Sequence, residues 1–105
     1  MSKPRRVRLS RRKGWRKPDN TVVVARPTQW GNPYRANAYR TRGSVVAEFR
    51  DALETALDAP GSRPVRPEVR NIAARIEQLR GRNLACWCPL DEPCHADVLL
   101  ELANR

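Results

Sequence analysis

Apolar residues recur along this chain in two rhythms, separated by polar breaks. TVVVARP, residues 21–27, is a β-branched run with no polar alternation, which suits a strand buried on both faces, as in a parallel sheet. TQWGNPY, 28–34, interrupts it with Gly31 and Pro33. From Ser44 the spacing changes to three and four. Val45, Val46, Phe49, Ala52, Leu53, Ala56 and Leu57 predict a helix, which APGSRP at 59–64 ends. Pro67 fits the first turn of a second helix, whose stripe is Val69, Ile72, Ala73, Ile76 and Leu79, and Gly81 stands where a left-handed cap is wanted. NLACWC, 83–88, reads as a second strand. Asp91 or Glu92 then caps a C-terminal helix over ADVLLELAN, with Val98, Leu99 and Leu102 facing inward.

The predicted class is α/β. The order is βααβα, a short parallel sheet flanked by helices, and its long crossover is expected to be right-handed. In open parallel sheets, ligands sit outside the carboxyl ends of the strands. The loops that leave those ends here are ARPTQWGNPYR and CWCPLDEPCH, the most chemically specific stretches of the chain.

Charge divides the chain further. Of its 105 residues, 1–42 hold 13 Lys or Arg against the single acid Asp19, whereas 43–105 hold 8 against 10. The net charge of +10 is therefore a local attachment. Residues 1–18 show almost no apolar periodicity and read as a flexible basic arm, followed by one small domain over 19–105. Arg5, Arg6, Arg8, Arg11, Arg12, Lys13, Arg16 and Lys17 of that arm suit a DNA or RNA phosphate backbone, bound by counterion release. The alternative is a solvated tail. No apolar run is long enough to span a membrane and no secretion signal precedes the domain, so a cytoplasmic, reducing location is expected.

All three cysteines and the one histidine lie within Cys86–His95. In a reducing compartment such a cluster reads as metal-binding or catalytic more readily than as a disulfide framework. On a strand, Cys86 and Cys88 project to one face, and Cys94 and His95 open the next helix. Three readings compete. Cys86, Cys88, Cys94 and His95 form a Cys₃His set suited to zinc, although adjacent residues 94 and 95 diverge around a helix. Alternatively Cys94, its pKa lowered by the helix N-terminus and assisted by His95, serves as a nucleophile or redox centre. The third reading makes Cys86 and Cys88 small buried hydrophobes and His95 a capping or core residue.

WRKPDNTVVVARP, WGNPY, LACWCP and CHADVLLELAN together resemble the bacterial and phage family known as domain of unknown function 4326, over roughly Trp15 to Asn104. The resemblance implies a small α/β domain with no assigned reaction. It also implies site positions at Arg26, Trp30, Gly31, Asn32 and Pro33, and at Cys86, Trp87, Cys88, Cys94 and His95. Ala96 stands where the family usually has Gly, which weakens any expectation of close ligand backbone there.

In the first loop, Gly31 and Asn32 permit a left-handed backbone and Pro33 fixes the exit. Arg26 can pair with a phosphate, and Trp30 offers a face for a base or sugar. The alternative is an ordinary turn with Trp30 in the core. Two functions follow as expectations. The first is a nucleic-acid-associated module that takes a nucleotide-like ligand in the cleft between the loops, with zinc as a structural cofactor. The second is a small enzyme acting on a nucleotide, nucleoside or base through Cys94 and His95. A thiol redox or metal-handling role is third.

Overall fold

The computed structural model describes residues 3–105. Its sheet has three parallel strands, β1 (Arg6–Arg8), β2 (Thr21–Val23) and β3 (Asn83–Cys86), in the spatial order β1-β3-β2. Helices α1 (Arg42–Asp58) and α2 (Pro67–Arg75) fill the crossover from β2 to β3, and α3 (His95–Asn104) closes the chain. The α/β class and the parallel pairing of β2 with β3 agree with the sequence pattern.

A third strand comes from the segment read as a flexible arm or extended edge: β1 lies in it, so the described part of that segment and residues 19–105 share one sheet, while residues 1 and 2 lie outside the described residues. The reason is that β1 is held by backbone and by charge rather than by an apolar face. Leu84 N–H donates to the Arg5 carbonyl at 3.0 Å and Leu9 N–H to the Cys86 carbonyl at 2.9 Å. The Arg6 side chain, only 7% exposed, donates to Asp97 at 2.6 Å, to the Pro89 carbonyl at 2.7 Å and to the Glu92 carbonyl at 3.0 Å. Such charge-assisted bonds are the strong ones, and together they fasten β1 to the loop between β3 and α3.

Several element ends also differ from expectation, each for a local reason. β2 stops at Val23 because the chain turns at Ala25–Thr28, where Pro27 has no N–H for a ladder and Thr28 N–H closes onto the Ala25 carbonyl at 3.0 Å. α1 starts at Arg42, two residues before Ser44, since Thr41 is the cap and its hydroxyl accepts from Ser44 N–H at 3.0 Å. α3 is capped by the Cys94 sulfur, which accepts from Ala96 N–H, and not by Asp91 or Glu92. Pro67 does open α2, and Gly81 does adopt a left-handed φ of 75°.

The apolar stripes of the helices meet in one core with Phe49, Leu53, Ile72, Leu79 and Leu99 fully or almost fully buried. Leu84 and Cys86 of β3 point into it. Strand alternation turns Ala85 and Trp87 to the opposite face of the sheet, where Ala85 is buried and Trp87 exposed.

Arg6→Ala should lower unfolding free energy by about 2–3 kcal/mol in denaturant titration, because it strands two loop carbonyls and the Asp97 carboxylate. Arg12→Ala, a solvated neighbour, should change it by less than about 0.5 kcal/mol. Equal effects would show that β1 unfolds independently of the rest.

Candidate metal and anion site

The carboxyl end of β3 delivers Cys86 and, two residues later on the same side, Cys88, with their sulfurs 3.8 Å apart. Cys94 returns from the opposite direction as the cap of α3. The Sγ atoms of Cys86, Cys88 and Cys94 all lie within 4.8 Å of one another, and all three cysteines are free. Thiolates on a tetrahedral zinc, at about 2.3 Å from the ion, stand about 3.8 Å apart. The three thiols are therefore placed to hold a metal ion with little further closure.

Protonation in the cluster is uneven. The neighbouring Cys94 thiol stabilises the Cys86 thiolate and brings its pKa down to about 5. Cys94 shifts upward for the reciprocal reason and by burial, while Cys88 shifts upward chiefly by burial. Near neutral pH the cluster thus carries one thiolate and two protonated thiols.

His95 takes a different part from the one its position suggested. Its Nε2–H donates to the Val24 carbonyl at 2.7 Å, since a carbonyl can only accept, and this fixes the tautomer with Nδ1 unprotonated. Nδ1 lies 3.7 Å from the Cys94 sulfur, but the metal-binding group comprises the three cysteines alone. Burial lowers the His95 pKa and keeps the ring neutral, with its edge against Phe49. The three cysteines form the close group, and His95 ties α3 to the end of β2 through Nε2 while its Nδ1 stays beside the Cys94 sulfur.

Beside the thiols is a cleft of about 310 Å³, lined by Arg26, Arg35, Arg42, Cys88, Cys94 and His95 among others. Arg26, Arg35 and Arg42 are exposed, and Arg42 also pairs with Glu92 of the cysteine loop. No carboxylate lines this cleft. Arg26 and Arg35 also border a second hollow of about 390 Å³, together with Arg66, Arg75 and Glu68. The pattern had singled out Arg26 but not Arg35 or Arg42. Those two belong to no motif, and the available signal was their place in the loop and helix start that follow the first predicted strand.

The WGNPY residues mostly serve the loop itself. Trp30 is 4% exposed and belongs to the core, so it offers no stacking face. Asn32, 3% exposed, donates from Nδ2 to the Val45 carbonyl at 3.2 Å and accepts from Tyr34 N–H at 2.9 Å. Both polar ends of Asn32 are engaged within the protein. Gly31 is not in the left-handed region; it is needed because a Cβ there would meet Arg26 Cγ at 2.7 Å. Close approach, not turn geometry, makes Gly31 a glycine, and Pro33 lines the second hollow. Among the basic residues of 1–18, Arg6 is internal, whereas Arg5, Arg8, Arg11, Arg12, Lys13, Arg16 and Lys17 are exposed.

Residues 7–105 match the family model described as Domain of unknown function (DUF4326). No curated protein and no solved structure matches the chain.

Metal binding at neutral pH should release about two protons, from Cys88 and Cys94, since Cys86 is already ionised. Affinity should then rise about 100-fold per pH unit above pH 5, until the upper thiols titrate. Chelator competition across pH measures this. A slope of one proton would remove one of these thiols from the ligand set, and Cys86→Ser, Cys88→Ser and Cys94→Ser should each lose the ion.

Proposed function

The chain belongs to the DUF4326 family, and from its own residues we propose that it is a nucleic-acid-associated domain that holds zinc and binds nucleotide phosphate groups in the cleft beside the thiols. The observation that carries this reading is the convergence of Arg26, Arg35 and Arg42 on a cleft without carboxylates, next to three clustered cysteines. Guanidinium groups suit phosphate because their donors match its oxygens in pairs. Zinc suits the cysteines because soft thiolates favour it and the 3.8 Å spacing of the Cys86 and Cys88 sulfurs matches two ligands on a tetrahedral ion. Bound there, the ion joins β3 to α3, and its binding free energy becomes part of folding free energy. The exposed cations of residues 3–18 supply further positive charge suited to a polynucleotide backbone. Free thiols in such a site accord with a reducing, cytoplasmic setting.

An enzyme with Cys94 as nucleophile is the weaker reading. The Cys94 sulfur is buried, accepts the Ala96 N–H and has its pKa raised, the opposite of an activated thiol. His95 is likewise engaged, through Nε2 on the Val24 carbonyl.

Calorimetric titration with a nucleoside monophosphate and its parent nucleoside tests the proposal, alongside elemental analysis for zinc. Arg26→Ala should weaken the phosphorylated ligand about tenfold, roughly one charge-assisted hydrogen bond partly screened by solvent, and leave nucleoside binding and the melting temperature unchanged. Equal loss for both ligands, or a melting temperature lowered by several degrees, would make Arg26 a structural residue.

A further inference from the structure

Trp87 stands apart from the other tryptophans. It follows β3 directly, faces away from Cys86 and Cys88, and is 43% exposed, whereas Trp30 is core and Trp15 is half-buried. The Arg11 guanidinium lies 4.5 Å from its ring centroid, a cation–π contact. Arg8, Leu9, Ser10, Arg11 and Trp87 line a shallow depression of about 440 Å³. The surround is fixed in place. Leu9 N–H donates to the Cys86 carbonyl at 2.9 Å, and the Ser10 hydroxyl accepts from Arg12 N–H at 3.0 Å, so the basic residues after β1 are carried at the edge of the ring. Residues 1–18 supply nine Lys or Arg and no acid.

We propose that Trp87, with Arg8 and Arg11, is a stacking platform for single-stranded nucleic acid, a site separate from the cleft beside the thiols. An exposed aromatic face bordered by guanidinium groups matches a single strand in both of its parts. Unpaired bases offer π-faces to Trp87, and the phosphates between them meet Arg8, Arg11 and the cations that follow. A duplex keeps its bases stacked inside and offers only the phosphates. Stacking is therefore the element that selects the single strand. Arg11 already lies over the ring at a distance that leaves no room for a base between them, so an incoming base displaces the guanidinium toward a phosphate. The inference rests on the reading that residues 1–18 contact nucleic acid, and it adds which form of nucleic acid is preferred and which side chain decides it.

The test is fluorescence anisotropy with short labelled oligo(dT), oligo(U) and the corresponding dT·dA duplex, over a range of salt, using the full chain. The wild-type protein should bind both single strands about tenfold more tightly than the duplex. Trp87→Ala should lower single-strand affinity about tenfold and leave duplex affinity and its salt slope unchanged, while Trp87→Phe retains most of the preference. In a Trp15→Phe background, saturating oligo(dT) should quench tryptophan emission, a readout that requires no change at residue 87. Absence of quenching, or single-strand affinity unchanged in Trp87→Ala while binding stays salt-dependent, would overturn the platform and spare the role of the basic segment. No salt-dependent binding of any probe would overturn both.

Discussion

A buried hydrogen bond from His95 Nε2 to the Val24 carbonyl, 2.7 Å long and joining residues 71 positions apart, holds the site together. It fixes the first residue of α3 against the end of β2. Cys94 immediately precedes that point and Arg26 lies two residues beyond Val24, so one bond brings the thiol cluster and the arginine cleft to the same sheet edge. Burial makes the bond strong and also keeps the imidazole neutral, which preserves the donor it needs. The ring therefore acts as a strut through Nε2, with Nδ1 turned toward the Cys94 sulfur.

Arginine is used in two ways that composition alone does not separate. Arg6 is desolvated and satisfied by two carbonyls and a carboxylate, and its contribution is to hold the Pro89–Pro93 loop over the cysteines. Arg50 bridges Glu54 of its own helix to Glu101 of α3, and Arg105 reaches Asp58, so other cations tie helix to helix at the surface. Arg26, Arg35 and most of the basic residues in 1–18 have no carboxylate partner among the described ion pairs. These cations are left as uncompensated positive charge at the surface.

Elements with an apolar rhythm were legible in the sequence, and so was the edge at which the chemistry collects. The β-branched run at Thr21–Val23, the helical stripes through Phe49 and Ile72, Pro67 and Gly81 all follow from burial period and backbone preference. What was not legible depends on partners distant in the chain. β1 has no apolar alternation because its stability comes from the pairing of residues 6–8 with 84–86 and from Arg6 on Asp97. Trp30 stood open between a stacking face and the core, and Asn32 was read as presenting its amide; tertiary packing buries both. Gly31 was read through its conformational freedom, whereas its requirement is the nearness of Arg26, a contact that sequence spacing does not reveal. The divergence of Cys94 and His95 around a helix start was legible, but their separate tasks were not: the Cys94 sulfur caps α3 and His95 Nε2 reaches the Val24 carbonyl.

The central position of β3 has a consequence for how the chain assembles. Both β1 and β2 pair only with β3, the last strand in sequence, across separations of more than 60 residues. During synthesis neither outer strand has an edge to join until Asn83–Cys86 has emerged. Helices α1 and α2 can form by local contacts before then, but neither strand pairing is available until β3 is present. Because the same short strand ends in Cys86, completion of the sheet and delivery of the first thiol are a single event. A chain interrupted before residue 83 carries its basic segment and its helices with no sheet to organise them.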